Sequence, residues 1–252
     1  MEDKKRSYYE KYWQKDNTSW SPHDQRPSSV LIDAISKLVQ PGMYVLDYGC
    51  GDCSKCGSLI TSLGAAYMGV DLSLTALRDC KKRNYKAILC GDETSLLPFA
   101  ANTFDLILCL EVLEHLFRPD LALQNMIHVL KPNGFLVISV PNIAWIGNRL
   151  LMILGFFNPG GSPETSFRAP WRDPHVRFFT KQSLYRLISQ EANMEIVLIT
   201  GEDFSLSEMP FFYKSRKLKS IARKSDFLFR SLGQHIPSIF TGNFVVVARK
   251  AK

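Results

Sequence analysis

The sequence has few features of a secreted, membrane-spanning or disordered protein. No apolar stretch follows the charged segment 1–6, so we expect no secretory signal and a cytoplasmic protein. The apolar segment 143–157 is interrupted by Asn148 and Arg149 and is too short to span a bilayer. With 46% hydrophobic and 22% charged residues, the 252-residue chain can bury a sizeable core as one domain rather than two.

The cysteines do not have the spacing of a disulfide framework. All 6 are scattered among predicted strands and helices, where we expect reduced thiols or small buried side chains. Cys50, Cys53 and Cys56 form a CxxCxxC pattern that is found in some metal sites. No fourth ligand is apparent and the pattern overlaps a glycine loop, so a metal cluster is not expected.

Alternating apolar runs and helical patterns predict an α/β fold with a parallel sheet, because each parallel strand needs a crossover connection. Strands are predicted at 43–48, 66–70, 86–90, 104–110, 134–140, 194–200 and 243–249, and helices at about 54–64, 74–83, 119–130 and 180–190. Ser54 and Thr180 are the predicted caps of two helices, and 131–134 is a predicted turn. Residues 1–40 are predicted to form an N-terminal helical cap on a domain 41–252. That domain carries insertions at about 141–179, a lid, and 201–242, which is basic and amphipathic.

Two glycines follow the first predicted strand in the loop Asp47-Tyr48-Gly49-Cys50-Gly51. Glycine there lets the backbone turn tightly and approach a ligand closely. A dinucleotide site is the rival interpretation, but Ser54 replaces the third glycine of that fingerprint. The Asp47 carboxylate would repel a pyrophosphate and suits a cationic ligand.

Acidic residues also end the next two predicted strands. Asp71, before Leu72, lies 20 positions after Gly51, where a carboxylate can accept hydrogen bonds from both ribose hydroxyls. Asp92, before Glu93, is placed to meet an adenine amino group. Because open α/β sheets bind ligands at the carboxyl ends of their strands, the pattern predicts a cationic nucleoside such as S-adenosylmethionine. The residues assigned to cofactor binding are Asp47, Gly49, Cys50, Gly51, Asp71, Leu72, Asp92 and Glu93.

Residues 40–200 resemble the class I S-adenosylmethionine-dependent methyltransferases. The resemblance lies in the strings DYGCGDC, GVDLS, GDETSLLPF, FDLILCLEVLEH and LKPNGFLVISVPN. It implies a Rossmann-like three-layer sandwich, with a seven-stranded, mostly parallel sheet and an antiparallel last strand. It also implies S-adenosylmethionine as the cofactor and methyl transfer to an oxygen or nitrogen of a small-molecule metabolite. The aromatic segment 8–13 is similar to a leading helix that folds over the cofactor in such enzymes, although it could simply pack on the sheet.

The predicted fourth strand ends in Glu111-Val112-Leu113-Glu114-His115, at the centre of the ligand edge. Carboxylates and imidazoles there can act as general bases or hold a divalent cation. EVLEH together with His175 resembles small-RNA 2′-O-methyltransferases and ubiquinone-pathway O-methyltransferases, which implies cation ligands at Glu111, Glu114, His115 and His175. Catalysis by Glu111, His115 and His175 without a metal is the interpretation that we prefer. A third alternative is that the string merely supports the start of a helix.

The net charge of +7 permits anionic partners, and basic residues alternate with apolar ones at 211–232. That pattern is typical of a solvated helix face, of an anionic membrane surface or of a site for a phosphate-bearing substrate. We expect a hydrophobic or anionic small-molecule acceptor, with peripheral membrane contact left open and nucleic acid not expected. RNA 2′-O-methylation and a non-catalytic cofactor-binding or membrane-associated scaffold are the alternative hypotheses.

Overall fold

A computed structural model describes residues 2–14, 27–155, 174–202, 232–233 and 235–251. Its helices are α1 (Glu2–Trp13), α2 (Ser29–Leu38), α3 (Gly57–Ser62), α4 (Leu74–Lys82), α5 (Pro119–Val129), α6 (Ile146–Ile153), α7 (Lys181–Arg186) and α8 (Pro237–Phe240). Its strands are β1 (Tyr44–Tyr48), β2 (Ala66–Asp71), β3 (Lys86–Leu89), β4 (Phe104–Leu110), β5 (Leu130–Pro141), β6 (Met194–Gly201) and β7 (Asn243–Lys250). A 3₁₀ turn at Leu113–His115 follows β4, and a π-helical turn at Leu187–Glu191 follows α7.

The strands form one 7-stranded sheet in the order β3-β2-β1-β4-β5-β7-β6. β1 to β5 are parallel, and β7 lies antiparallel between β5 and β6. β1 has β2 on one side and β4 on the other, so the connections after these strands diverge and open a crevice at the carboxyl edge of the sheet. The predicted fold class is confirmed.

The sheet separates two apolar layers, because successive strand residues point to opposite faces. Leu46 and Ile107 belong to one layer, whereas Val45, Leu106 and the α2 residue Ile35 belong to the other. Since both faces are covered, β1 and β4 have nearly continuous apolar sequences rather than alternating ones. The polar groups of this central region are therefore concentrated at the strand ends.

One strand boundary and one helix cap differ from the predictions. β5 begins at Leu130, which pairs with Phe104, and the pairing resumes at Leu106 and Phe135. Residues 131–134 are unpaired with β4 and turn the chain as predicted, with Asn133 at a left-handed φ of 61°, but they lie within the bounds of β5. Ser54 does not cap a helix, because its backbone N–H and hydroxyl donate to Asp52 Oδ1 at 3.1 and 2.6 Å. α3 starts three residues later, at Gly57.

The predicted cap at Thr180 is confirmed. Its hydroxyl accepts from the Ser183 N–H, and the Ser183 side chain accepts from the Thr180 N–H in return, which forms a capping box. The α-helical part of this segment ends at Arg186, and the π-helical turn continues it to Glu191.

The expectation that all cysteines are reduced is wrong for one pair. Cys53, in the loop after β1, is disulfide-bonded to Cys80 in α4, with the two Cα atoms 5.1 Å apart. The pair is separated by 27 positions, and only the packing of α4 against the loop brings it together. Cys50, Cys56, Cys90 and Cys109 are not part of a disulfide.

Parts of both predicted insertions lie outside the described residues. These parts are 156–173 of the lid, and 203–231 and 234 of the basic insertion, so the predictions about them remain predictions. The first part of the apolar segment forms α6, whose end exposes Met152 and Ile153. Among the residues for which a structure is given, no helix is long and apolar enough to cross a membrane.

Candidate cofactor and substrate site

The glycine loop folds over the end of β2. The N–H groups of Gly49 and Cys50 both donate to the Val70 carbonyl, at 2.8 and 3.0 Å. The next N–H, that of Gly51, donates to Asp71 Oδ2 at 2.9 Å. The loop and the predicted ribose-binding aspartate are thus held together at the carboxyl edge.

Both glycines are required by conformation and by space. Gly49 and Gly51 have φ angles of 76° and 55°, a left-handed region that residues with a β-carbon adopt at a cost. A β-carbon on Gly49 would lie 2.5 Å from Val112 Cγ2, and one on Gly51 would lie 2.5 Å from Trp13 Cζ2. The first contact shows that the residue after Glu111 packs directly on the glycine loop.

Asp71 lies where the sequence predicted a ribose acceptor. Besides the bond from Gly51, its Oδ1 accepts from the Ser73 N–H at 2.8 Å. Burial raises the pKa of Asp71, and these backbone hydrogen bonds oppose the rise. Each carboxylate oxygen has a further lone pair, so ligand hydroxyls can still bind.

Asp47 is only 4% exposed and lies at the buried end of β1. Burial raises its pKa to about 6, and the opposing influences are a hydrogen bond from the Tyr67 hydroxyl and the positive charge of Lys55. The Tyr67 oxygen is 2.7 Å from Asp47 Oδ2. Sequence reasoning missed Tyr67, because its position in β2 gives no local signal of a partner in β1.

The two predicted residues after β3 have other partners. Asp92 Oδ1 accepts from the Thr94 hydroxyl and N–H at 2.6 and 3.0 Å, and these hydrogen bonds lower the Asp92 pKa. Glu93 is buried, accepts from the Phe117 N–H at 2.7 Å and forms an ion pair with Lys5. Glu93 therefore joins α1 to the segment after β4, and cofactor contact by either residue remains a prediction.

Helix α1 lies across the carboxyl edge and touches the connections that follow β1, β2, β3 and β4. The contacts are Trp13 with Gly51, Glu10 with residues 73–75, Lys5 with Glu93, and Tyr9 with His115. The Tyr9 and His115 rings meet edge to face with their centroids 6.2 Å apart. α1 thus covers the crevice in which the glycine loop and the histidine lie.

Glu10 fixes α1 to the start of α4. Its carboxylate accepts hydrogen bonds from the Ser73 hydroxyl, the Leu74 N–H, and the N–H and hydroxyl of Thr75, at 2.6 to 3.2 Å. The first N–H groups of a helix have no partner within the helix, so a carboxylate there is stabilising. The sequence signals did not identify Glu10, because its partners lie 63 to 65 positions away.

The residues predicted to be catalytic lie at the end of β4. Glu111 has a left-handed φ of 59°, and its Oε1 accepts from the Ser139 hydroxyl at 2.8 Å. A glutamate in this region is strained by about 1–2 kcal/mol, a feature that clusters at functional sites. The strain turns the chain from β4 into the 3₁₀ turn that carries Glu114 and His115.

Glu114 is 1% exposed, and neither carboxylate oxygen has a hydrogen-bond partner among the residues placed in the structure. Burial raises its pKa well above the usual value, and the charge of Glu111 adds to the rise. Glu114 Oε1 lies 3.8 Å from His115 Nε2 and 3.9 Å from His175 Nε2. The two imidazole rings are 4.7 Å apart, centroid to centroid.

The distant His175 is held in place through the backbone. The N–H groups of Val176 and Arg177 both donate to the Glu114 carbonyl, at 2.9 and 3.0 Å. Glu114, His115 and His175 thus offer three potential ligand atoms within 4.8 Å of one another. The other predicted ligand, Glu111, lies outside that group.

Glu202 is a further carboxylate that sequence reasoning missed. It follows β6, accepts from the Asn243 amide at 3.1 Å, and has its pKa raised by burial and by the charge of Glu111. The rule that selected Asp71 and Asp92, an acid directly after a strand, would have found it. The crevice therefore combines several carboxylates, which favour a cationic ligand, with two imidazoles that can accept a proton.

The chain is similar in sequence to known methyltransferases. Residues 46–138 match the methyltransferase-domain family. The chain is 35% identical to a ubiquinone biosynthesis O-methyltransferase of Bradyrhizobium diazoefficiens over 117 residues, which cover 44% of this chain and 45% of that protein. It is 27% identical to the enzyme of the same name from Burkholderia pseudomallei over 201 residues, 75% of this chain and 80% of that protein.

The fold has close counterparts among solved structures. An S-adenosylmethionine-dependent methyltransferase from Archaeoglobus fulgidus superposes with a TM-score of 0.58 at 17% identity, covering 87% of this chain and 91% of that one. This similarity concerns the fold alone. The sequence motifs and the match to the methyltransferase-domain family agree with that fold. The methyltransferase domain at residues 46–138, the similarity to ubiquinone biosynthesis O-methyltransferases and the shared fold together support the class I S-adenosylmethionine-dependent methyltransferase superfamily.

Proposed function

We propose that the protein transfers the methyl group of S-adenosylmethionine to a hydroxyl oxygen of a small-molecule acceptor. The observation that carries this proposal is the cluster of Glu114, His115 and His175 beside the glycine loop. Val112 comes directly before the turn that carries Glu114 and His115, and it packs against Gly49. The proton-accepting groups therefore lie next to the glycine loop. Methyl transfer to a hydroxyl needs this proximity, because the acceptor oxygen and the methyl group of the cofactor must be aligned.

The acidic crevice suits the charges of the cofactor. S-adenosylmethionine carries an ammonium and a sulfonium, and Asp47, Asp71 and Glu111 supply negative charge at three strand ends. We assign the ribose hydroxyls to Asp71, whose carboxylate is already oriented by the Gly51 and Ser73 N–H groups. The left-handed Gly49 and Gly51 let the backbone approach the cofactor without a side chain in the way.

In the proposed reaction, an imidazole nitrogen of His115 or His175 takes the proton of the acceptor hydroxyl. The oxygen then attacks the methyl carbon in line, and the C–S bond breaks with its electron pair left on sulfur, which becomes a neutral thioether. Glu114 Oε1, 3.8 and 3.9 Å from the Nε2 atoms of His115 and His175, is close enough to stabilise the imidazolium that forms. α1 covers the crevice and excludes water, which favours a reaction that neutralises a cation.

The acceptor class is inferred from two features. The relatives at 27–35% identity are named ubiquinone biosynthesis O-methyltransferases, which supports an oxygen acceptor here. At the end of α6, which follows β5, Leu150, Met152 and Ile153 are 49%, 56% and 79% exposed. These apolar side chains support a hydrophobic acceptor.

A divalent cation is compatible with the same cluster. Glu114 offers a buried carboxylate that has no hydrogen-bond partner in the described part of the chain, and His115 and His175 offer imidazole nitrogens, a donor set that suits first-row divalent metals. Such an ion would lower the pKa of an acceptor hydroxyl.

The proposed function is tested with methyl-labelled S-adenosylmethionine and separate panels of phenols, catechols, amines and short RNA. We expect labelled methyl ethers from the hydroxylated small molecules. His175→Gln and His115→Gln should keep cofactor affinity and lower kcat by about 10²-fold or more, the usual contribution of a general base. The matched control is His128→Gln, an exposed histidine in α5. Labelled amines or RNA alone, or full turnover in both variants, would contradict the proposal.

A further inference from the structure

Three cysteine sulfurs lie together beneath the glycine loop and have no part in the proposed reaction. Cys50, Cys53 and Cys80 place their sulfurs within 4.8 Å of one another, and Cys53 and Cys80 are joined by the disulfide. The side chains of Cys53 and Cys80 are fully buried. Their Cα separation of 5.1 Å is within the range that an unstrained disulfide requires.

The disulfide attaches the cofactor loop to α4. A second attachment lies beside it, because Asp52 Oδ2 is 3.0 Å from Arg83 Nη2. Cys80 and Arg83 are one helical turn apart, so both attachments fix the loop to the same end of α4. The ion pair would keep the loop next to α4 if the disulfide were reduced, and Cys53 would then be held by its backbone hydrogen bonds to Cys50 and Gly57 without the covalent bond.

The backbone of Cys53 is in the left-handed region, with a φ of 62°. Gly49 and Gly51, in the same loop, are also left-handed, but glycine adopts this region without steric cost. A residue with a β-carbon relaxes from it unless another contact holds it. The disulfide is such a contact, so it stabilises the loop shape that the two glycines define.

The Cys50 thiol is prevented from replacing Cys53 or Cys80 in the disulfide. Burial raises the pKa of its thiol well above the usual value, and the charges of Asp71 and Asp47 add to the rise. A protonated thiol is a poor nucleophile toward a disulfide. The Cys50 sulfur also occupies the space that Gly69 leaves, since a β-carbon there would lie 2.5 Å from it. Both effects favour a single pairing.

We propose that Cys53 and Cys80 form a reversible redox site that sets the affinity of the glycine loop for the cofactor. A dithiol that reaches the bond when the loop opens reduces it in two steps. One thiolate attacks the sulfur of one cysteine and displaces the thiolate of the other; the second thiol then attacks the resulting mixed disulfide, releases the first cysteine and closes a cyclic disulfide. Two electrons and two protons pass to the protein, which gains two thiols. A low-molecular-weight disulfide carries out the reverse reaction. The inference rests on the proposed function only in that the affected ligand is S-adenosylmethionine.

The test uses the full chain in buffers of reduced and oxidised dithiothreitol. Thiol titration after denaturation should give 4 free thiols in the oxidised protein and 6 in the reduced one, with a Cys53–Cys80 peptide found by mass mapping. The Kd for S-adenosylmethionine should rise roughly tenfold on reduction, in line with the cost of a left-handed conformation. Hydrogen exchange at the amides of residues 49–56 should also become faster.

Two variants distinguish the effect of losing the disulfide from the effect of the left-handed conformation at position 53. Cys80→Ser should bind with the weaker affinity of the reduced protein, whatever the redox buffer. Cys53→Gly should be equally insensitive to the buffer but bind more tightly than Cys80→Ser, because glycine adopts the left-handed conformation without the bond. Cys109→Ser, in β4, should keep the full redox response.

Six free thiols under oxidising conditions, or a metal ion bound to the three cysteines, would overturn the proposal. So would a Kd and an exchange rate that do not change on reduction. If neither redox form binds S-adenosylmethionine, the proposed function fails, while the thiol count and hydrogen exchange still decide the redox site.

Discussion

Glu10 in α1 accepts a hydrogen bond from the Thr75 hydroxyl at 2.6 Å, so a residue of one helix closes the N-terminus of another. Burial opposes ionisation of Glu10, but hydrogen bonds from Thr75 and Leu74 hold its pKa below the usual value. The ionised carboxylate is therefore the form that holds α1 over the crevice.

We expect Glu10→Gln to speed the release of S-adenosylmethionine roughly tenfold. The substitution removes the negative charge from hydrogen bonds that are stronger when one partner is charged. Stopped-flow fluorescence of Trp13, which lies against Gly51, would follow the release. The matched control is Lys11→Gln, an exposed neighbour in α1 that should release the cofactor at the wild-type rate. Equal rates for the two variants would show that Glu10 does not hold the helix closed.

The same contact should depend on pH. Because the folded-state pKa of Glu10 is lowered, its contribution to stability is fully present above the unfolded-state value of 4.5 and is lost as the pH falls through the folded-state value. Cofactor release should therefore accelerate at acidic pH in the wild-type protein. The Glu10→Gln variant should lack this contribution.

Asp47→Asn is expected to stabilise the cofactor-free protein and weaken cofactor binding. The Asp47 pKa is raised from 3.8 to about 6, so ionisation costs folding free energy that appears as the pH rises from 3.8 and is fully present above 6. Two pKa units correspond to roughly 3 kcal/mol, an upper estimate for the gain at pH 8. Urea unfolding at pH 8 and pH 4 would measure it, and at pH 4 the gain should fall to roughly a fifth of its value at pH 8. A destabilised variant at pH 8 would contradict the assignment.

Gly51→Ala should weaken cofactor binding and alter the fluorescence of Trp13. The new β-carbon would lie 2.5 Å from the Trp13 ring, and the left-handed φ adds strain. Gly155→Ala is a matched control, because Gly155 has a φ of 74° but no described atom within 4 Å of the position that a β-carbon would take. Both variants should lose about 1 kcal/mol to backbone strain, and only Gly51→Ala should change the Trp13 signal. An unchanged signal in Gly51→Ala would argue against α1 covering the loop.

A chelator distinguishes the two proposed uses of Glu114. If the imidazoles act without a metal, as we prefer, EDTA should leave turnover of the identified acceptor unchanged. Loss of turnover that added Mg²⁺ or Zn²⁺ restores would instead assign a cation to Glu114, His115 and His175. Glu114→Gln provides a second measurement, since it should abolish such a metal response while preserving the volume of the buried side chain.

Much of the fold, and the position of several candidate cofactor residues at the carboxyl edge of the sheet, could be predicted from the sequence. The mostly parallel sheet follows from the pattern of apolar runs and crossovers, and its seven strands with an antiparallel last strand follow from the resemblance. Parallel strands place their carboxyl ends at one edge. Asp47 and Asp71 could be selected because they end strands. Asp92 was selected by the same rule, but its side chain accepts hydrogen bonds from Thr94 in a local turn. The position of Asp92 after a strand does not reveal that turn.

The partners of these residues could not be predicted, because each contact joins distant segments. Tyr67 meets Asp47 across 20 positions, and Cys53 meets Cys80 across 27. His175 reached the candidate site only through the resemblance, and its position depends on backbone hydrogen bonds to Glu114 that no side-chain pattern encodes. Packing of α1 and α4 on the strand ends, rather than local propensity, determines these contacts.

The position of β7 has a consequence for synthesis of the protein. β7 follows β6 along the chain but lies between β5 and β6, and within the described part of the chain β6 pairs only with β7. On the ribosome, β1 to β5 can assemble as they emerge, whereas β6 must wait without a pairing partner until β7 leaves the exit tunnel. During that interval the exposed edge of β5 is open to other chains, so the last strand to be made is the one that protects the nascent protein from aggregation.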